Sequence, residues 1–378
     1  MKKEKLRVLV LSDIHLGHRK SKTEHICQSL TKYITYDRLR KTDIFFIPGD
    51  LFDRHLSLSS QEVFEIHSTL TYILQLCKKT DVCIRVLEGT PSHDWRQSKL
   101  LESINETGIG ADLRYVPQLE IEHIDSLGID VLYIPDEWDA DPLNTQVQVE
   151  QLMRERSIEK VDFSIMHGQF EFQLPEHVQA PKHDSHFYSS ITRHYVFIGH
   201  VHIPIHRGNI IAPGSFDRLA HGEEHPKGLW YLEIDPKNSD RIDFIENKEA
   251  VRYISIDLSS LDIDQAIEYI DSILKDVPSG SHVRFIADKN DSIAGYIDSL
   301  KRKYSQFQCT HKLQGSLSRS LEAIEDMRAR SNAVAITRES VVDLVSEKMD
   351  QLTDDTQLKQ LALYHLEEHR HEPASTAG

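Results

Sequence analysis

Short apolar runs recur along the first 200 residues of the chain, and each of five runs is followed directly by a polar motif. The five runs span residues 8–11, 44–47, 82–87, 163–166 and 196–198. Because they are short and mostly apolar and β-branched, they predict buried strands. Residues 24–39 and 61–76, which lie between runs, place apolar side chains at helical spacing. This alternation of strands and helices predicts a layered α/β arrangement.

The pattern changes after Tyr195, where closely spaced strands are separated by turn residues. This part predicts a largely antiparallel sheet that packs on the first layer and ends near Glu249. A smaller unit follows, in which strand and helix patterns alternate twice, over residues 253–258, 263–274, 282–286 and 293–304.

These changes divide the chain into three predicted parts. Residues 1–249 form the main domain, and residues 250–315 form a small α/β cap. Residues 316–378 form a helical tail with a disordered end. Within the tail, residues 335–369 carry two apolar stripes, the second narrower than the first. Such stripes are typical of a surface that binds a partner, and packing on the cap is the alternative.

Composition and charge narrow the class of protein. Apolar residues make up 39% of the chain and charged residues 28%, which is typical of a globular protein. The net charge of −16 argues against binding nucleic acid through a broadly basic surface. It leaves open a nucleic-acid enzyme whose metal ions supply positive charge. No stretch approaches the roughly 20 apolar residues of a membrane span, so we expect no membrane association. The four cysteines show no CxxC spacing, and free thiols in a reducing cytoplasm are the simplest account of them.

The polar motifs after the five runs contain carboxylates and imidazoles, which are ligands of divalent metals. They are Asp13-Ile14-His15, Gly49-Asp50, Ser92-His93-Asp94, His167-Gly168 and Gly199-His200-Val201-His202. Each motif alone has an ordinary explanation as a turn or cap, and 22 histidines make some clustering expected. Their ordered occurrence at five strand ends favours a shared site, because ligands gather at the carboxyl ends of strands in layered α/β folds.

Two divalent ions roughly 3.5–4 Å apart, bridged by a carboxylate, are the usual means of activating water against a phosphodiester. Asp50 is the predicted bridge. The other predicted ligands divide between the ions, with Asp13, His15 and His202 on one and His167 and His200 on the other. Such a mixed shell favours manganese, iron or zinc over calcium. His93 is then free to donate a proton to the leaving group.

The order of these motifs resembles the calcineurin-like metallophosphoesterases, and residues 6–235 carry the resemblance. Asp13-Ile14-His15-Leu16-Gly17, Gly49-Asp50-Leu51-Phe52-Asp53 and residues 213–228 resemble the SbcD-type DNA repair nuclease in particular, the bacterial and phage counterpart of the eukaryotic meiotic-recombination nuclease. The resemblance implies an α/β/β/α sandwich and a cap that contacts DNA. It implies manganese-dependent hydrolysis of DNA, as an exonuclease on ends and an endonuclease on single strands or hairpins, with Mg²⁺ or another divalent ion as the alternative cofactor. It also implies a homodimer in a bacterial or phage-infected cell, whose tail binds an SbcC-type coiled-coil ATPase.

The chain departs from the family in one loop. The family reads Gly-Asn-His-Asp or Gly-Asn-His-Glu, whereas Gly89-Thr90-Pro91-Ser92-His93-Asp94 is longer by two residues and lacks the Asn ligand. Ser92 takes the Asn position in this alignment, with Thr90 or a water molecule as the alternative. The pair His93 and Asp94 is retained and is the predicted catalytic pair.

Several residues beside the motifs are candidates for binding DNA. Four basic side chains could contact backbone phosphates or simply be solvated: Arg19, Lys20, Arg54 and Arg96. Trp95 and Tyr188 are candidate stacking platforms or core residues.

Two other functions fit the same motifs. A phosphatase or phosphodiesterase for a small nucleotide or a lipid-linked pyrophosphate would use the same ligands, but it would not explain the cap and tail. A degenerate scaffold for the ATPase would explain the missing Asn. Plasmid degradation separates the first alternative from a nuclease, and metal content separates the second.

Overall fold

The computed structural model describes residues 5–57, 61–174, 178 and 180–314 of the chain. Two six-stranded sheets form its main part, and a three-stranded sheet follows them. No helix in these ranges is long and apolar enough to cross a membrane.

The first sheet has the strand order β12-β11-β1-β2-β3-β4. Its strands are β1 (Leu6–Val10), β2 (Ile44–Pro48), β3 (Cys83–Leu87), β4 (Leu113–Val116), β11 (Gly228–Ile234) and β12 (Arg241–Glu246). Strands β1 to β4 are parallel, and β11 and β12 extend the sheet as an antiparallel pair beyond β1. The carboxyl ends of β1, β2 and β3 therefore lie at one edge.

The second sheet has the order β5-β6-β7-β8-β10-β9. Its strands are β5 (Glu120–Ile124), β6 (Ile129–Ile134), β7 (Val161–His167), β8 (Thr192–Gly199), β9 (Ile205–Arg207) and β10 (Ile210–Ala212). Strands β6, β7, β8 and β10 are parallel to one another. Their shared direction brings the ends of β6, β7 and β8 to one edge as well.

Helices cover the outer face of each sheet. The helices on the first sheet are α1 (Thr23–Tyr33), α2 (Tyr36–Leu39), α3 (Gln61–Thr80) and α4 (Leu100–Glu106). Those on the second sheet are α5 (Pro142–Glu155) and α6 (Ser185–Ile191). The inner faces of the two sheets pack on each other, which gives the layer order α/β/β/α. The predicted sandwich is confirmed.

Alternate residues of each buried strand face different layers. In β1, Leu9 packs under the helices while its neighbour Val10 packs between the sheets. In β6, Tyr133 lies between the sheets and Leu132 faces α5. Successive side chains of a strand point to opposite faces, so a strand covered on both sides is mostly apolar, with a few buried polar residues such as Arg85 of β3 and Ser164 of β7. This is why short continuous apolar runs correctly marked the core strands.

The expected separate antiparallel sheet after Tyr195 is wrong. Strands β9 and β10 extend the second sheet, while β11 pairs with β1 and completes the first. The turn-rich pattern identified the strands, but a strand's local pattern does not specify its partner. Tyr231 of β11 packs in the core beneath the helices and Trp230 packs between the sheets, so β11 is suited to an interior position.

A third sheet forms after residue 250, with the order β13-β14-β15. Its elements are β13 (Tyr253–Asp257), α7 (Ile263–Leu274), β14 (His282–Asp288), a 3₁₀ helix (Ser292–Tyr296), α8 (Ile297–Lys303) and β15 (Gln308–Gln314). Both expected strands and α7 lie where the sequence places them, and β15 was not anticipated. The domain limits at 249 and 315 stay predictions. The predicted tail, residues 316–378, lies outside the described residues.

Candidate metal centre

The polar motifs meet where the two sheets end. Asp13 and His15 follow β1, and Asp50 follows β2. His167 is the last residue of β7, and His200 comes directly after β8. Backbone hydrogen bonds join the segments, since the amide of Asp13 donates to the Gly49 carbonyl at 3.3 Å and that of Gly168 donates to the Gly199 carbonyl at 3.2 Å. All six predicted ligands are therefore brought together.

Three overlapping groups of side chains could each hold a metal ion. They are Asp13, His15 and His202; His15, Asp50 and His93; and Asp50, His167 and His200. Within each group the ligand atoms lie no more than 4.8 Å from one another. Asp50 belongs to two groups, which is the placement expected of a bridging carboxylate.

Asp50 is 2% exposed and surrounded by imidazoles. Its Oδ1 lies 3.3 Å from His167 Nε2, and its Oδ2 lies 3.1 Å from His93 Nδ1 and 3.7 Å from His15 Nε2. Burial alone would raise the pKa of Asp50, but these imidazoles hold the pKa well below its usual range. Asp50 is therefore a carboxylate at neutral pH.

Four of the ligand residues have left-handed backbone conformations. The φ angles are 50° at Asp13, 52° at His15, 48° at Asp50 and 98° at His200. Such conformations are uncommon and costly for residues other than glycine, and they cluster at functional sites, where the surrounding structure maintains them.

Glycines allow the strand ends to approach closely. A Cβ atom on Gly49, where φ is 85°, would overlap the His167 ring, and one on Gly89 would overlap the Asp50 backbone. Any larger residue at these two positions would push the ligand-bearing segments apart.

The imidazoles of His167 and His202 are oriented by groups behind them. Nδ1 of His167 is 2.6 Å from the Pro48 carbonyl, so Nε2 faces Asp50. Nδ1 of His202 is 3.1 Å from Glu223 Oε1, and Glu223 is itself paired with the buried Lys227 at 2.7 Å. Such supports fix ring orientation in metal sites. Sequence reasoning assigned no role to Glu223 and Lys227, although Glu and Lys four residues apart are a recognisable ion-pair signal.

The surroundings of Asp13 indicate whether the side chains of the site suit a metal ion. Asp13 is fully buried, and its Oδ1 accepts a hydrogen bond from the His200 amide at 2.9 Å. Its Oδ2 is buried without a hydrogen-bond partner among the described residues. Nearby, Nε2 of His15 and Nε2 of His202 face each other at 3.1 Å. A buried carboxylate oxygen needs a positive partner, and two converging imidazole nitrogens are ligands, so the residues fit a divalent cation.

Thr90, and not Ser92, occupies the place expected of the Asn ligand. The Thr90 hydroxyl lies 3.3 Å from Asp50 Oδ2, His167 Nε2 and His200 Nδ1, whereas Ser92 is exposed. The amides of His93 and Asp94 donate to the Thr90 carbonyl at 2.9 and 3.0 Å, so the two extra residues form a turn that directs Ser92 to solvent. The assignment of Ser92 is therefore corrected to Thr90.

Asp136 was missed by sequence reasoning. Its Oδ2 accepts a hydrogen bond from the Thr90 hydroxyl at 3.0 Å and lies 3.6 Å from His200 Nδ1. It follows β6, which ends at Ile134. The rule that located the other ligands, a carboxylate just beyond an apolar run, applies to residues 129–136 as well and would have found it.

Asp94 holds the loop and does not face the site. It is fully buried, and its two oxygens accept hydrogen bonds from the Phe52 amide at 2.9 Å and the Gly89 amide at 2.8 Å. Burial, together with nearby Asp50, raises the pKa of Asp94 to about 8. Its assignment as a catalytic residue is corrected to a positioning role. His93, by contrast, keeps 35% of its side chain exposed, and its hydrogen bond with Asp50 raises its pKa.

The candidate DNA-contacting residues differ in their surroundings. Arg19, Lys20 and Arg96 are exposed. Arg54 instead donates to the Gly17 carbonyl and pairs with Glu62, both at 2.9 Å, so its guanidinium is already engaged within the protein.

The two candidate stacking residues also differ in their exposure. Tyr188 is 1% exposed and belongs to the core under the second sheet, so it is not a stacking platform. Trp95 is 68% exposed.

Comparisons with known proteins add little. No family model and no curated protein matches the chain. One similar solved structure is TT1561 of Thermus thermophilus, with 11% identity, a TM-score of 0.39, and coverage of 63% of this chain and 98% of that chain. Another has 15% identity and a TM-score of 0.38, and covers 64% of this chain and 99% of that chain. Similarity at this level says nothing about function.

Proposed function

We propose that the chain is a two-metal phosphodiesterase that cleaves DNA, a manganese-dependent nuclease of the SbcD type. The observation that carries the proposal is Asp50, a buried carboxylate placed between the two sets of candidate ligands, with its Oδ1 3.3 Å from His167 Nε2 and its Oδ2 3.7 Å from His15 Nε2. A carboxylate in this position can bridge two metals about 3.5–4 Å apart, which is the spacing of two-metal hydrolytic sites.

Six histidine and aspartate side chains and one hydroxyl would hold the ions. Asp13, His15 and His202 would hold one, His167, His200 and Thr90 the other, and Asp50 both. When bound, the pair would activate water and neutralise the charge on the phosphoryl oxygens. The unpartnered Oδ2 of Asp13 and the converging nitrogens of His15 and His202 support this use of the first group.

His93 is the proposed proton donor. Its Nδ1 lies 3.1 Å from Asp50 Oδ2, and its exposed edge can reach the oxygen of a leaving group beside the metal ligands. Asp94 keeps the loop in place from behind through the amides of Phe52 and Gly89. His93 is thus held near the metal ligands without being enclosed by them.

The choice of DNA as substrate, the homodimer and the SbcC-type ATPase partner rest on the resemblance described above. Exposed Arg19, Lys20 and Arg96 are available for phosphate contacts. The partner-binding segment lies outside the described residues. We expect deletion of residues 335–378 to leave nuclease activity intact and to abolish co-purification with the ATPase.

A nuclease assay tests the proposal. End-labelled duplex, hairpin and single-stranded DNA would be incubated with Mn²⁺, Mg²⁺, Zn²⁺ or EDTA, with Asp50→Asn as the matched inactive control. We expect cleavage with Mn²⁺ that EDTA and Asp50→Asn abolish. Hydrolysis of small phosphoesters without any DNA cleavage would establish the small-substrate alternative. Purified chain that binds no metal by elemental analysis would establish the scaffold.

A further inference from the structure

A cavity of about 470 Å³ borders the candidate metal centre. Asp136 lines this cavity and also accepts the hydrogen bond from Thr90 at 3.0 Å. Pro91, the residue after Thr90, lines it too. Asp136 and the Thr90–Pro91 segment therefore connect the cavity to the candidate metal ligands.

Two exposed tryptophans line the same cavity. The chain has three tryptophans, and Trp230 is 8% exposed in the core between the sheets. Trp95 and Trp138 are 68% and 39% exposed, and both face the cavity. Nε1 of Trp138 donates to Gln148 of α5 at 2.9 Å, which fixes that ring on the second sheet's helix. Exposed indole faces beside a cavity are typical of sites that stack planar rings.

The backbone around the tryptophans is strained. Trp95, Arg96 and Glu137 all line the cavity and have left-handed φ angles of 41°, 57° and 48°. The amide of Arg96 donates to Glu88 at 2.6 Å, and the other oxygen of Glu88 accepts from the Tyr115 hydroxyl at 2.6 Å. A bulky residue such as tryptophan is a clear outlier in this conformation, and strain of this kind is maintained mainly at functional sites.

The charges of the lining decide which part of a nucleic acid could enter. Glu88, Asp136 and Glu137 are acidic, and Arg96 is the only basic residue among the described residues that line the cavity. A phosphate would be repelled there, whereas a neutral aromatic ring would meet indole and proline surfaces. A base within a duplex is already stacked on its neighbours, so only an unpaired base can use such a site.

We propose that this cavity receives an unpaired nucleobase stacked on Trp95 and Trp138. The proposal rests on the nuclease function proposed above. The phosphodiester next to that base then lies at the metal centre. The cavity thereby makes the enzyme favour single-stranded ends, hairpin tips or frayed termini over a paired duplex.

Tryptophan fluorescence tests the proposal on the full chain. A single-stranded oligothymidine would be titrated in EDTA, beside an abasic oligonucleotide of the same length and charge. We expect the thymidine strand to quench the fluorescence and the abasic strand to leave it unchanged. Trp95→Ala and Trp138→Ala should each weaken binding of the thymidine strand about 5- to 150-fold, the range for one lost stacking contact. Trp95→Phe should restore most of it.

The matched control is Phe64→Ala, which removes an aromatic side chain that is 75% exposed and does not line the cavity. It should bind as the wild type does. Equal quenching by blunt duplex and single strand, or unchanged binding in both tryptophan variants, would overturn the proposal.

Cleavage separates this proposal from the function on which it rests. With Mn²⁺, the tryptophan variants should raise KM for the thymidine strand and leave KM for the abasic strand unchanged. If the tryptophan variants cleave the thymidine strand with the wild-type KM, the proposed role of the cavity is refuted and the nuclease function is not. Base-dependent quenching without cleavage of any DNA refutes the nuclease function and leaves the base-binding cavity standing.

Discussion

Asp94 gives the sharpest test of how this site is built, because its two carboxylate oxygens join two loops. It accepts one hydrogen bond from Phe52, beyond β2, and one from Gly89, beyond β3. Asp94→Ala would leave both buried amides without an acceptor. An orphaned buried donor costs ~1–3 kcal/mol, so the two together cost about 2–6 kcal/mol.

Part of that cost is offset. Burial raises the pKa of Asp94 to about 8, which means that the buried carboxylate itself is penalised near neutral pH. We therefore expect the lower half of the range, a loss of about 2–4 kcal/mol in the free energy of unfolding. The measurement is urea denaturation of the metal-free protein followed by circular dichroism, in which the midpoint falls while the slope is unchanged.

The control is Asp125→Ala, because Asp125 is fully exposed and should change stability by less than about 0.5 kcal/mol. Asp94→Ala should also reduce activity, because the loop that carries His93 loses its anchor. A variant with the wild-type unfolding midpoint but no activity would refute the positioning role. Asp94 would then take part directly in catalysis.

Four further outcomes are expected. Asp50→Asn should fold normally but abolish cleavage and bind fewer than two ions by elemental analysis, because the shared negative charge is lost. His93→Ala should keep its metal content and lose roughly 10²–10⁴-fold in kcat, as is typical of a missing general acid; a lost ion would make His93 a ligand. Thr90→Val should weaken one metal-binding step by roughly 10–100-fold in calorimetry, the range for lost support in a metal site. In the metal-free protein, the raised pKa of Asp94 means that the folded state holds its proton more tightly than the unfolded state. Stability should therefore fall as the pH rises from about 4 to about 8, and Asp94→Asn should lack that component.

The ligands could be predicted from the sequence because two physical facts act together. Strands buried on both faces are mostly apolar, so their ends are visible as changes to polar residues. Parallel neighbours end at the same edge of a sheet, so Asp13 and Asp50 converge after β1 and β2, as His167 and His200 do at the ends of β7 and β8. The packing of the two sheets on each other then brings Asp50 Oδ1 to 3.3 Å from His167 Nε2.

The loop from Gly89 to Asp94 could not be read in the same way. Aligning the short family motif to a loop longer by two residues placed Ser92 in the site. The turn closed by the Thr90 carbonyl changes which side chain points inward, and that turn depends on tertiary anchoring by Asp94. Asp136, by contrast, follows the apolar run of β6, and the rule that located the other ligands would have found it.

The charge around the site explains why a chain of net charge −16 is compatible with a DNA substrate. Four carboxylates lie at or beside the candidate ligands: Asp13, Asp50, Asp53 and Asp136. Glu223 is offset by its partner Lys227, and burial raises the pKa of Asp94, which opposes a further negative charge there. Two divalent ions would carry four positive charges and balance the four carboxylates. The centre would then present no net repulsion to a phosphodiester, whatever the charge of the distant surface, because exposed charges beyond about 10 Å are largely screened by salt.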